Sequence, residues 1–259
     1  MDPIGRWREL VRKPEEEVPL GEAALLISAA GNPGLDVAEQ LSRLDALAAR
    51  VDSPDTSAVC NLLFDEIGLR GDRDSYDDPV NSYIDCVLDR RLGIPISLSV
   101  ILIEVGRRAD VHLEAVGMPG HFLVRDPVNP GEFVDAFDRG RRLDRAGCEG
   151  LLQTTVGSGT RLTEEMLAPT GTHAILARML ANLDRSFDRR GDRRSLAWVS
   201  ELRAELAEAP IGDRMQLAAR MAVLGRFDAA ASVLEDAAPN AEEPDRMLDQ
   251  AEALRARLN

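Results

Sequence analysis

The stretch RRLGIPISLSVILIEVG, Arg90 to Gly106, decides how the rest of the chain is read. Gly93 closes the segment before it, and Pro95 opens a long apolar run. From Ile96 to Val105 the residues are apolar around nearly the whole circumference of a helix, with Ser97, Ser99 and Glu104 as the exceptions. A helix apolar on all sides has no face to offer to water, so it belongs at the centre of a fold. Proline suits its first position, because the N–H that proline lacks is unpaired there in any case. Further along the chain comes PGHFLVRD, with His121, and then EFVDAF, with Asp135.

Upstream of this helix the pattern is helical. PLGEAALLISAAG reads as a helix stopped by Gly31. Val37, Leu41, Leu44, Ala48 and Val51 share one face at helical spacing. Val59, Leu63 and Ile67 mark a third helix, stopped by Gly68, and Pro79 opens a fourth through VNSYIDCVLDRRL. Residues 1–17 are polar and read as a loosely held arm. Downstream the period changes. HLEAVGM, HFLVRD and EFVDAF are short, β-compatible and separated by Pro and Gly turns, which predicts a small antiparallel sheet packed on the buried helix. Residues 18–165 therefore read as one α+β domain.

From His173 on the chain reads as all helix, and it repeats. Leu183, Phe187, Gly191, Val199 and Pro210 recur 34 residues later as Leu217, Met221, Gly225, Val233 and Pro244. A Gly between two helices and a closing Pro at this period is the tetratricopeptide pattern, here with its aromatic positions depleted. The expected domains are thus an arm (1–17), an α+β domain (18–165) and a tetratricopeptide-like segment (166–259).

Composition narrows the partners. The net charge is −14, which argues against a nucleic-acid partner, since phosphate binding needs a basic face. No apolar run is long enough to span a membrane, and the start of the chain lacks a signal core. The expected compartment is the cytoplasm. Cys60, Cys86 and Cys148 are odd in number and far apart, so neither a disulfide framework nor a zinc site is expected. His112 and His173 have no ligand spacing with His121, and no metal or cofactor is expected.

The residues that could carry chemistry are His121, Asp135 and the start of the Pro95 helix. Adjacent antiparallel strands can set His and Asp side by side, where the carboxylate fixes the imidazole tautomer. The free N–H groups of a helix start stabilise a thiolate or an oxyanion. Together they form the plan of a papain-like or transglutaminase-like site.

The segments from Asp78 to Asp126 and from Phe133 to Gly140 resemble the transglutaminase-like core of SirB-type bacterial proteins. That family joins such a core to tetratricopeptide repeats and is described as regulating invasion-gene expression. Pro14 to Ala48 resembles its N-terminal helices. The resemblance implies that His121 and Asp135 occupy the family's histidine and aspartate positions, with Ala136 where a proline is usual. It also implies that the nucleophile position, two residues after Gly93, is held by Pro95. SirB-type proteins resemble one another in lacking a cysteine there.

The leading expectation is a non-catalytic module that binds a protein or peptide and acts in regulation, its oligomeric state left open. The competing one is a hydrolase or acyl transferase on amide or ester bonds, with His121 as base, Asp135 as orienter and Ser97 or water as nucleophile. Ser97 lies roughly 200° around the helix from Pro95. Both it and Ser99 are expected to bond to their own helix backbone. Cys86 is expected to pack as a small hydrophobe. Asn81, Ser82 and Tyr76 are expected to tie the loop to the core.

Overall fold

The computed structural model describes residues 2–206 and 209–258. Along the chain come helices α1 (Pro3–Val11), α2 (Leu20–Gly31), α3 (Val37–Ala48) and α4 (Thr56–Cys60), the last continuing as a wider turn over Asn61–Glu66. Strand β1 (Arg70–Gly71), a tight turn at Pro79–Ser82, helix α5 (Ile84–Arg90) and strand β2 (Leu92–Gly93) lead to α6 (Pro95–Arg108). Strands β3 (Glu114–Val116), β4 (Leu123–Arg125), β5 (Phe133–Asp135) and β6 (Arg141–Leu143) come next, then α7 (Arg145–Val156). Five helices complete the described chain: α8 (Thr172–Arg190), α9 (Arg193–Ala204), α10 (Ile211–Val223), α11 (Phe227–Ala237) and α12 (Pro244–Arg255).

Local chemistry sets the helix starts. Asp2, Asp36, Asp144 and Asp192 each accept a backbone N–H from the first turn of the helix they precede. A carboxylate there satisfies an orphan donor and complements the positive end of the helix. At α6 the arrangement differs. Ile94 is extended, Pro95 takes the first helical position, and Ser97 Oγ accepts the Ile94 N–H at 3.1 Å.

Every residue of α6 from Pro95 to Gly106 is buried. Helices α2, α3, α4 and α5 cover one side, the sheet another and α8 a third. The buried Glu104 carboxylate is held by Arg107 and Arg108 one turn on. Gly21 of α2 leaves room for it, since a Cβ there would collide with Glu104 Oε2.

The four strands β3–β4–β5–β6 form an antiparallel meander, with Val124 opposite Val134 and Asp135 opposite Arg141. Alternate residues face opposite ways. Ala115, Val124 and Val134 join the core around α6. Val116, Leu123, Phe133 and Leu143 join a second core with Cys148 and Leu152 of α7. Strand β6 was not among the expected strands, because RRL carries only one apolar residue, and it pairs at the open edge of β5.

Three further features depart from the sequence reading. Residues 3–11 are a docked helix, with Trp7, Leu10 and Val11 wholly buried and Trp7 Nε1 donating to Leu202 O at 3.0 Å. The polar composition of this arm hid a single apolar stripe. The helix expected from Pro79 is broken at Tyr83, which is extended. Ser28 Oγ of α2 takes the Ile84 N–H at 2.9 Å and so restarts the helix there. Finally, β1 and β2 pair in parallel, bringing Gly71 beside Gly93.

Helices α9 and α11 begin 34 residues apart, at Arg193 and Phe227, each after a glycine of positive φ, Gly191 at 65° and Gly225 at 76°. The helix pairs differ in what they pack on. Leu176, Leu180, Leu183 and Val199 of α8 and α9 belong to the same core as α6. Leu217, Met221, Ala230 and Leu234 of α10 and α11 form a separate one. The expected boundary at 165 and 166 is crossed by the main core. No helix among the described residues is long and apolar enough to cross a membrane.

Replacing Trp7 with Ala removes the largest fully buried side chain. We expect a loss of about 3–5 kcal/mol, measured by urea denaturation. A loss below about 0.5 kcal/mol would mean that the arm is not part of the fold.

Candidate functional site

His121 sits in the turn before β4 rather than within the strand. Its N–H bonds Met118 O at 3.1 Å, and Gly120 supplies the positive φ of 74° that the turn needs. Asp135 is the last residue of β5. Its Oδ1 accepts from His121 Nε2 at 2.9 Å, from Phe137 N at 3.0 Å and from Asp138 N at 3.3 Å. Three donors on one oxygen hold the carboxylate, and the carboxylate in turn holds the imidazole. Both side chains are buried, His121 to 6 % exposure and Asp135 to 4 %. With Nε2 on Asp135, Nδ1 is the ring nitrogen left over, and it has no hydrogen-bond partner among the described residues.

Phe137, two residues beyond Asp135, stands edge-on to the imidazole with ring centres 6.0 Å apart. It is seated on Gly71, where a Cβ would collide with the ring. Tyr76 also meets the Phe137 ring edge-on, with ring centres 5.9 Å apart. So the pairing of β1 with β2 bears on the histidine through one aromatic ring.

His121 opens onto a cavity of 280 Å³. Pro95 and Ile96, at the start of α6, form its floor together with Phe122, and Tyr76, Arg178 and Arg185 line its sides. Arg178 Nη2 donates to Met118 O at 3.0 Å and to His121 O at 2.6 Å, which clamps the turn that carries the histidine. Its guanidinium lies 5.3 Å from the centre of the Phe122 ring. Burial lowers the arginine's pKa and raises that of Tyr76.

The sequence-derived residues thus divide. His121, Asp135 and Pro95 come together. Ser97 does not line the cavity. It is wholly buried, and its hydroxyl donates to Asn81 O at 2.6 Å while accepting the Ile94 N–H. Asn81 is itself engaged behind the helix start, donating to Ser75 O at 2.7 Å and accepting from Arg90. Ser99 is buried, and its hydroxyl, expected on its own helix backbone, has no partner among the described residues. No serine, threonine or cysteine is among the described residues that line the cavity. His173 is remote, bonded to Val11 O at 3.1 Å, and His112 is exposed. Among the described residues no three His, Cys, Asp or Glu side chains are grouped to hold a metal ion.

The cysteines are chemically unlike nucleophiles. Burial pushes Cys60, Cys86 and Cys148 each up to about 11, so the thiol persists at neutral pH, whereas a catalytic cysteine needs its thiolate. A larger cavity of 350 Å³ lies among α10, α11 and α12, but it is walled mainly by alanine, leucine and methionine.

Arg178, Arg185 and Phe137 were missed by sequence reasoning. The arginines fell in the segment assigned to the repeat. One signal was available: Arg178, Asn182 and Arg185 fall on one face of α8, and no acidic residue stands three or four positions from Arg178.

This arrangement, an imidazole–carboxylate pair facing the start of a buried helix, is that of the thiol acyl-transfer folds. The profile of the transglutaminase-like superfamily matches residues 36–181. The chain belongs to that superfamily. It is similar to a UPF0162 protein of Xylella fastidiosa, 39% identical over 190 residues and covering 68% of each chain. It is also similar to a UPF0162 protein of Pseudomonas aeruginosa, 30% identical over 206 residues, with 76% of this chain and 75% of that one covered. Human F-box only protein 21 matches at 32% identity over 135 residues, which is 49% of this chain and 20% of that protein. No solved structure matches the chain. The matched segment includes α6, His121, Asp135 and Arg178, and runs well into α8.

A thiol that burial pushes up to about 11, as at Cys86, carries roughly a hundredfold less thiolate at pH 8 than a free cysteine. We therefore expect iodoacetamide to alkylate half-exposed Cys86 in the folded protein about a hundredfold more slowly than the free amino acid, read by mass spectrometry. Alkylation at the free rate would show an activated thiol.

Proposed function

We propose that the chain is a non-catalytic transglutaminase-like protein of the SirB type, a regulatory module that binds a protein or peptide at the cavity beside His121. The observation that carries this is Pro95 at the cavity floor, where the fold's thiol would stand, with no thiol or aliphatic hydroxyl among the described residues that line the cavity. Proline offers neither a nucleophile nor an N–H. In this reading the core is papain-like in plan and works in the cytoplasm. Helices α8 to α12 are a short tetratricopeptide-like array, supported by the matched positions of Gly191 and Gly225. Arrays of that kind present surfaces to peptide-like partners.

One observation favours a second reading. The His121–Asp135 pair is intact, and Nδ1 is unoccupied. His121 could then act as general base on a water molecule and make the chain a hydrolase of amide or ester bonds. Ser97 is a poor nucleophile in either case, because its hydroxyl serves the helix start.

Two variants test the proposal. P95C would set a thiol at the positive end of α6 beside His121, where thiolates are stabilised. We expect its new cysteine to be alkylated at pH 7 at least tenfold faster than Cys86. A rate equal to that of Cys86 would refute Pro95 as the nucleophile position. His121→Ala should leave ester and peptide-amide hydrolysis at the buffer rate, as in the parent protein. Parent turnover above that rate, lost in His121→Ala with the fold retained by circular dichroism, would establish the hydrolase instead.

A further inference from the structure

The chain carries 45 acidic against 31 basic residues, yet none of the described residues lining the His121 cavity is Asp or Glu. Its polar side chains are Tyr76, His121, Arg178, Asn182 and Arg185. Most arginines near an acid are paired across this molecule, as Arg90 is with Asp72 and Arg220 with Asp184. Arg178 and Arg185 have no carboxylate partner among the described residues. Arg178 spends one nitrogen on two carbonyls, and Arg185 bonds the Asn182 amide oxygen. Two cations held close together without a counter-charge leave an electrostatic vacancy for an anion.

The floor of the cavity adds a donor of its own. Ile96 is the second residue of a 14-residue helix, and its N–H group has no acceptor among the described residues. Nδ1 of His121, on a side chain more than nine-tenths buried, is the unpartnered ring atom that faces this space. Depth decides what fits. The floor residues Pro95, Ile96 and Phe122 are buried, while Tyr76, 45 % exposed, and Arg185 stand at the mouth. A cavity of 280 Å³ admits the end of a chain, or one side chain, and not a folded surface.

We propose that this cavity binds a peptide-borne carboxylate, with the C-terminal carboxylate of an extended peptide as its principal ligand. This rests on the binding-module reading above and names what that module holds. The carboxylate lies against the Ile96 N–H at the start of α6 and the Arg178 guanidinium, whose planar fork matches two carboxylate oxygens. Arg185 and Tyr76 border the peptide where it leaves the cavity. Arg178 is also a positioning residue, because it holds the carbonyls of Met118 and His121.

The test uses the full chain and four probes. These are a randomised pool of N-acetylated tripeptides as free acids, the same pool as C-terminal amides, an amide pool containing one Asp or Glu, and inorganic phosphate. Binding is read from the His121 ring signals in NMR and by competition. The free-acid pool is expected to bind at least tenfold tighter than the plain amide pool. R185Q, at the exposed mouth, should remove most of that difference while the fold is kept. R178Q should do the same, but R185Q decides if R178Q does not fold. Tighter binding of the Asp- or Glu-containing amides would retain the carboxylate and overturn the terminal one. Phosphate binding as tight as the acid pool would overturn the peptide source. Equal binding of acids and plain amides, both lost in His121→Ala, would overturn the carboxylate and leave the binding module standing. No binding by any pool would overturn the inference alone, since the turnover and alkylation experiments on His121 and Pro95 judge the module separately.

Discussion

Twelve consecutive residues of α6, Pro95 to Gly106, are shielded from water, and the plan of the molecule derives from that constraint. A helix that can turn no face outward must be wrapped. Burying a single Leu or Ile side chain contributes about 1.5–3 kcal/mol, so a helix carrying three isoleucines, two leucines and two valines draws neighbours onto every side. Four helices, one face of the sheet and α8 supply them. The one charge on this helix deep enough to matter, Glu104, is tolerated because two arginines on the next turn pair with it and a glycine on α2 makes space. Removing one partner of such a buried pair costs far more than the pair contributes.

The candidate site is a by-product of that wrapping. The start of α6 must end somewhere, and it ends where the sheet presents the turn before β4 and the end of β5. His121 and Asp135 are therefore set by the same packing that buries α6. A nucleophile on the first turn would complete an acyl-transfer site, and it is the one element that packing does not require. Pro95 satisfies the helix start as well as a cysteine would, and better in conformational terms, since its φ is already helical. A chain can thus lose the nucleophile and keep the pair, the cavity and the donors of the helix start.

Legibility in the sequence depended on how far apart the partners of each signal lie. The central helix was legible because burial on all sides writes itself as composition. His121 and Asp135 were legible because short strands broken by glycine and proline keep their order. The break at Tyr83 was not, because it depends on Ser28, 56 residues away, offering its hydroxyl to Ile84. Trp7 was hidden for the same kind of reason. A nine-residue helix with three inward residues looks polar until α9 supplies the carbonyl that its indole needs. Strand β6 is an edge strand, paired on one side only, and its two arginines obey edge logic rather than core logic.

Arg178 shows why the helical segment and the catalytic-type core are one structural problem. Its guanidinium lies on α8, beyond the boundary that composition suggests, yet it donates to the carbonyl of His121 itself. Without α8, the carbonyl of His121 would lose its donor and that of Met118 one of its two, and the side of α6 that α8 covers would be bare. The match to the superfamily also runs to residue 181, past Arg178. A helix recruited to cover α6 has therefore brought with it the cation that shapes the cavity. Any change that loosens α8 must act on the imidazole as well, because one side chain serves both.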